Sequence, residues 1–341
     1  VRSRGPVRSP RALTLARRIR ISGPGHCLLP GATVVSVDGA DPLRSLSTGE
    51  PVALPLQRPS GLPVELLEWG LGRLRDLPWR AVRDRWSILV AEVMLQQTQV
   101  TRVAERWPRF LGRYPTPTVC AEAPVGEVIA EWSGLGYNRR AVYLHRTAVT
   151  VVDRHGGEVP GDLADLLDLP GIGPYTARAV LAFADEADVG IVDTNVARVL
   201  ARWSGRELRP REVQEQADAS VPAGSGWAWN QTVLDLGATI CRARNPTCDD
   251  CPLSDGCAWR GEGDDPAVGS AGVSGRQAAF EGSDRQGRGR LVAALAENPV
   301  DGDGLAMAMG WPDDPRRAER VAARLVADGL VVTDGRCWYL P

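Results

Sequence analysis

The chain has 341 residues, enough for two or three domains with one sizeable core. Its net charge of −2 announces no polyanion partner through bulk basicity, and no apolar run approaches the ~18–20 residues of a membrane span. All 40 basic side chains are arginine, a bias a GC-rich genome explains, and without lysine no side-chain amine exists for Schiff-base chemistry.

Residues 1–60 are rich in Arg, Pro, Gly and Ser, start with Val and lack acids before Asp38. They read as disordered, or as an upstream extension from a misassigned start; an Arg-rich arm touching nucleic acid is the weaker alternative. From Leu62 to about Arg260 the pattern is helices separated by Gly/Pro loops, with no competing strand alternation, so this region is predicted all-α. The stretch 87–111 reads as one or two amphipathic helices. Helices are predicted within 125–136, 139–157, 163–184 (helix, tight turn, helix), 195–205 and 229–241, several closed by glycine. The Gly-, Ser- and acid-rich segment 261–284 fits a linker. Helix-like stretches at 285–297, 303–310 and 314–328 precede a predicted hairpin at 328–341 with Asp334-Gly335 at its turn, which together suggest a small winged-helix module.

Four of the seven cysteines fall in "CRARNPTCDDCPLSDGC", as Cys241, Cys248, Cys251 and Cys257. Disulfides suit such short loops poorly, and four thiolates in one small volume suit a soft-metal centre. Zinc prefers two separated C-x2-C knuckles; the uneven C-x6-C-x2-C-x5-C spacing favours a [4Fe-4S] cluster modestly and leaves zinc open. Cys27, Cys120 and Cys337 stand alone and read as packing residues.

In "LPGIGPYTARAV", Gly171 and Gly173 permit a tight turn that leaves N–H groups at a helix N-terminus, a site suited to a nucleic-acid phosphate. Many helix corners share that pattern, so alone it is weak. Glu92 sits among Val90, Ala91, Val93 and Met94, where burial would raise its pKa; its plain alternative is a solvated acid at a helix edge. Asp193 starts a helix in "IVDTNVARVL" and is equally readable as an N-cap. As a pair across a cleft, a raised-pKa acid and an ionised Asp are what N-glycosidic cleavage needs. The base must first leave the duplex, and the amides of "LQQTQ" or the ring of Tyr137 are candidates to fill its place.

The ordered set "LPWR", "AEVMLQQTQV", "GLGY", "LPGIGPYTA", "VDTNVARVL", "WNQTVLDLGA" and the four-cysteine spacing resembles the helix-hairpin-helix (HhH-GPD) DNA glycosylases over about 65–260, nearest to the MutY-type adenine DNA glycosylases. That resemblance implies a six-helix barrel (about 83–195) beside a cluster domain built from 62–76 and 196–260, with double-stranded DNA in the cleft. It implies that Glu92 protonates adenine N7, that Asp193 stabilises the C1′ cation or a covalent intermediate, and that Asn195 orients the sugar. Arg80 would line the adenine pocket with Trp79 beside it, Gln97 would enter the base stack, and Tyr137 would wedge beside the lesion. The implied substrate is adenine opposite 8-oxoguanine or guanine. The implied protein is a bacterial, cytoplasmic, nucleoid-associated monomer that touches no membrane.

Two departures stand out. Asn138 occupies the place after Tyr137 where the family often has a second aromatic, and residues 285–341 are too short for the Nudix-like domain many members use to read 8-oxoguanine. Tyr175 stands where lyase relatives carry a lysine, so base excision without strand cleavage is expected; a phenol there can bond Asp193 or the sugar. The competing readings are an endonuclease III-like glycosylase/lyase, a mismatch thymine glycosylase and a non-catalytic iron–sulfur DNA-binding protein.

Overall fold

A computed structural model describes residues 61–273 and 279–341, so the expectations for residues 1–60 and for Cys27 lie outside the described residues. In chain order the helices are α1 (Glu65–Leu71), α2 (Arg85–Leu95), α3 (Val100–Arg113), α4 (Pro117–Glu122), α5 (Val125–Glu131), α6 (Arg139–His155), α7 (Leu163–Leu167), α8 (Pro174–Ala184), α9 (Thr194–Ser204), α10 (Pro210–Ser220) and α11 (Gly226–Thr239). After them come α12 (Asp284–Leu295), β1 (Val300–Asp301), α13 (Gly302–Met309), α14 (Pro315–Ala327), β2 (Val332–Thr333) and β3 (Cys337–Tyr339). The stretch 87–111 is thus two helices, and α4 and α10 were not anticipated.

The chain builds two apolar cores. Helix α2 is buried on every face through Ile88, Leu89, Val90, Ala91, Val93 and Met94, which makes it the axis of the first core. Asp84 caps its start by accepting from the Ser87 N–H at 2.7 Å. Helices α3, α6 and α8 pack around it. The second core joins α1, α9, α10 and α11 through Leu66, Leu200, Val213 and Trp229. Asp193 lies where the chain passes from the first core to the second, as the N-cap of α9.

Part of the segment expected as linker is folded. Asp265 pairs with Arg202 at 2.6 Å, Ala267 is buried in the second core, and the Ala271 N–H bonds the Leu208 carbonyl at 2.9 Å. Composition misread it because glycine and acids here make specific backbone and ion-pair contacts instead of solvating the chain.

The C-terminal helices carry a three-stranded antiparallel sheet of order β1-β3-β2, with Val300 opposite Trp338 and Val332 opposite Tyr339. The order helix, strand, helix, helix, hairpin is that of a winged helix. The two-residue β1 was too short for any alternation to reveal. The module's buried residues, Leu291, Val292 and Val321 among them, are continuous with the first core, and α12 packs on α5. Among the described residues no helix is long and apolar enough to cross a membrane.

Candidate active site

Glu92 projects from the buried α2 and is 2% exposed. Burial pushes its carboxyl from 4.5 up to about 7. The Tyr175 hydroxyl opposes that rise by donating to Oε2 at 2.8 Å, the Asp193 charge adds to it, and Arg80 works against it. Tyr175 comes from the first turn of α8, directly after the glycine turn. Burial and then the neighbouring Glu92 and Asp193 charges hold its phenol well above its ordinary value, so it remains a donor. The phenol, expected to bond Asp193 or the sugar, bonds Glu92 here: the turn aims it at α2.

Asp193 accepts from the backbone N–H of Asn195 at 2.8 Å and of Val196 at 2.7 Å, and from Asn195 Nδ2 at 2.8 Å. It is the N-cap of α9, and its charge also reaches the Glu92 carboxyl. Its carboxyl is raised by burial, against the pull of those amides and of Arg198. Arg198 extends this network. It donates to Asn195 Oδ1 at 2.8 Å, to the Gly237 carbonyl at 2.7 Å and to the Cys241 carbonyl at 2.8 Å. Arg198 had no expected role, because an arginine on a helix face reads as solvated.

Arg80 is buried, and both its terminal nitrogens engage Asp235 at 2.8 Å. Arg75 closes on the same carboxylate at 2.6 Å. Burial alone would raise Asp235; the two arginines bring it below its ordinary value. Trp79 is buried edge-on to Trp107, with ring centroids 6.3 Å apart.

The loop after α2 and the "GLGY" turn meet at Arg140, a second residue the sequence reading missed. Its guanidinium donates to the carbonyls of Val93 (2.7 Å), Met94 (2.9 Å), Gln96 (2.7 Å) and Gly136 (2.8 Å) and to Thr98 Oγ1 (3.0 Å). A buried cation thus satisfies the orphan carbonyls ending α2. Its only sequence signal was an arginine just inside a helix start. Either side of this clamp, exposed Gln97 (φ 56°) and Tyr137 (φ 47°) hold left-handed backbone, strained for non-glycine residues.

In the glycine turn, Gly171 has φ +78°, and a Cβ there would stand 2.8 Å from Tyr143 Cβ, so only glycine fits. Gly173 is the N-cap of α8, with Pro174 following. The Thr147 hydroxyl donates to the Pro170 carbonyl at 2.7 Å and fixes the turn on α6. The first N–H groups of α8 lack intrahelical partners, which suits an anion.

Cys241, Cys248, Cys251 and Cys257 line one cavity, with Ile240, Pro246 and Trp259 among the walls. Among the described residues no group of three or more His, Cys, Asp or Glu could hold a single metal ion. Four thiols lining one cavity are a donor set that fits a soft-metal centre. Arg202 donates to Cys241 Sγ at 3.4 Å, a contact that favours a thiolate. Arg242 and Arg244 are exposed beside this cavity. Cys120 is fully buried, and Cys337 lies in β3.

Residues 90–223 match the family described as "HhH-GPD superfamily base excision DNA repair protein". An adenine DNA glycosylase of Mycolicibacterium smegmatis is 41% identical over 281 residues, 80% of this chain and 94% of that protein. One of Mycobacterium tuberculosis is 42% identical over 282 residues, 80% and 91% of the two chains. Among solved structures, a thermostable thymine-DNA glycosylase superposes with a TM-score of 0.54 and 31% identity, over 57% of this chain and 93% of that one. The chain belongs to the HhH-GPD superfamily of base excision DNA repair proteins and, within it, to the adenine DNA glycosylases.

Proposed function

We propose that this enzyme removes adenine mispaired with 8-oxoguanine, and less readily with guanine, from double-stranded DNA, and that it leaves the strand intact. The observation that carries the reading is the bond from Tyr175 to a buried Glu92 whose carboxyl titrates at about 7, beside Asp193. A carboxyl that is substantially protonated near neutrality donates to the departing base. Glu92 gives its proton to N7 of the flipped adenine, which makes the base a neutral leaving group as the N-glycosidic bond breaks. Asp193 stabilises the positive charge developing at C1′ or the group that traps it, and Asn195 orients that carboxylate and the sugar. Water completes the hydrolysis. Tyr175 offers no amine, so no Schiff base forms and no strand cleavage follows.

Flipping costs a few kcal/mol and is easiest at a mispair. Gln97 and Tyr137 enter the stack on the two sides of the Arg140 clamp, Arg80 and Trp79 support the adenine pocket, and the Gly171–Gly173 turn takes a backbone phosphate. Cys241, Cys248, Cys251 and Cys257 would hold a [4Fe-4S] cluster, whose contribution is to order the loop that carries Arg242 and Arg244 towards phosphates. We assign 61–260 to the glycosylase region, with the barrel at about 83–195 and the cluster domain from 62–76 and 196–260, and 285–341 to a winged-helix module. The enzyme acts as a monomer on the bacterial nucleoid.

The test presents duplexes with 8-oxoG:A, G:A, G:T or thymine glycol and scores released base and strand breaks without alkali. Adenine release from the first two with intact strands is expected. Thymine release from G:T would instead support the mismatch reading that the solved thymine-DNA glycosylase brings to mind, and prompt nicking would sink the monofunctional assignment.

A further inference from the structure

The C-terminal module is seated firmly against the helices that carry Tyr137. The Gly126 N–H at the start of α5 donates to the Pro341 carbonyl at 2.7 Å. A Cβ at Gly126 would come within 2.2 Å of that oxygen, so the glycine admits the chain end. Arg139, at the start of α6, pairs with Asp328 at 3.5 Å, and Arg288 of α12 meets the same carboxylate. Trp338 and Leu340 pack on the first core.

This seating brings Arg285, in the first turn of α12, to the wedge. Its Nη1 donates to the Tyr137 hydroxyl at 3.1 Å. Its guanidinium carbon stands 5.9 Å from the Tyr137 ring centroid and 5.4 Å from that of Phe280. Both rings are open to solvent, Tyr137 by 38% and Phe280 by 55%. The result is a surface row of aromatic, guanidinium and aromatic that spans the two parts of the chain. Arg140 approaches the Tyr137 ring as well, at 5.7 Å, so two cations hold a residue whose backbone is strained.

We propose that Phe280 and Arg285 complete the wedge with Tyr137, so that the winged-helix module forms part of the DNA-binding surface and sets the preference for the base opposite adenine. The inference rests on the glycosylase reading above. Asn138 leaves the barrel without a second aromatic beside Tyr137, and the module brings the Phe280 ring to the other side of the Arg285 guanidinium. Arg285 fixes the Tyr137 hydroxyl and brings positive charge to the strand opposite the flipped adenine. A planar guanidinium flanked by rings suits stacking on a base or pairing with a phosphate, whereas a lysine would supply only the charge.

The experiment uses the full chain as wild type, Arg285→Ala, Arg285→Lys and Phe280→Ala. Binding is measured on 8-oxoG:A and G:A duplexes with a non-hydrolysable adenosine analogue at several salt concentrations. Excision is measured in single turnovers on the natural duplexes. Arg285→Ala should bind 8-oxoG:A about tenfold more weakly, lower the 8-oxoG:A over G:A ratio, and reduce the salt slope by about 0.9, the share of one phosphate contact. Arg285→Lys should keep the slope and lose the ratio. Phe280→Ala should weaken binding about tenfold with the slope unchanged, in the range for one stacked base. A purely structural role would lower the melting temperature without moving slope or ratio, and that pattern overturns the proposal. Wild-type affinity, slope and ratio in Arg285→Ala, with adenine released normally, overturn it alone. A wild-type protein that releases no adenine overturns the glycosylase reading and this inference together.

Discussion

The Tyr175 hydroxyl donates to Glu92 Oε2 at 2.8 Å, which ties the residue after the glycine turn to the acid in α2, the axis of the first core. The bond favours the ionised carboxylate and so opposes the rise that burial imposes. Tyr175→Phe removes it. Hydrogen bonds to charged groups are worth about 1.5–3 kcal/mol, or roughly one to two pH units. The general acid must be protonated to act, so the wild-type rate should fall as pH rises through about 7. In Tyr175→Phe that descending limb should move to higher pH. Single-turnover rates across the neutral range check this, and an unmoved limb would detach Tyr175 from proton delivery.

Glu92→Gln keeps the shape and an acceptor for Tyr175 but cannot give a proton. Base release should fall at least about 100-fold, the low end for general acid catalysis, while duplex binding survives. The same change tests the buried acid's effect on folding. Glu92 titrates at about 7 in the folded chain against 4.5 ordinarily, so between these values the folded state holds a proton that the unfolded state releases. Wild-type stability from this group therefore falls as pH rises from 4.5 and reaches its full loss above 7, up to about 3 kcal/mol. Asp193 is shifted in the same direction and is common to both proteins. Thermal melts should show Glu92→Gln gaining on wild type as pH rises; parallel curves would refute the buried-acid assignment.

Much of this site was legible in the sequence, for identifiable reasons. Glu92 stood out as a carboxylate flanked by apolar residues, a pattern that left a solvated helix edge open until the structure buried it. Gly171 stood out because a turn between two apolar runs needs left-handed backbone. What stayed hidden were the partners of arginines, where those partners are remote in the chain. Arg80 and Asp235 are 155 residues apart, and Arg140 reaches back 44 to the Gln96 carbonyl. A local pattern reports periodicity, whereas these bonds depend on how helices cross. The same blindness turned a folded strap around Asp265 into an expected linker. With every cation an arginine, residue type did not separate the buried pairs from the solvated face.

The Arg80–Asp235 pair gives a stability prediction. Arg80→Ala strands a carboxylate that is buried and keeps only Arg75, whose side chain is 34% exposed. Removing one member of a buried pair costs about 3–5 kcal/mol, whereas replacing both by apolar residues of similar volume is often neutral. Denaturant melts should show a large loss for Arg80→Ala and recovery in Arg80→Met with Asp235→Leu. A single substitution costing less than about 1 kcal/mol would mean that Arg75 and water already satisfy Asp235.

Arg198 links the Asp193 network to the cysteine set. One guanidinium holds Asn195, which holds Asp193, and also holds the carbonyl of Cys241, the first residue of the cysteine set. A change at either end can therefore reach the other through three hydrogen bonds of 2.8 Å. Arg198→Gln shortens the side chain and removes the fork that spans α9 and the cysteine loop, while leaving every thiol in place. If the cysteines hold an iron–sulfur cluster, the wild type should be brown and absorb visible light, and Arg198→Gln should lose that absorbance faster under chelator. Base release should also drop about 10- to 100-fold, the range for losing a residue that supports a ligand from behind. Cys248→Ser separates the effects. It disturbs the thiol set without touching Arg198, so a matching fall in base release would show that order in the cysteine loop is what reaches Asp193. Full activity in Arg198→Gln with iron retained would make the relay a packing feature alone.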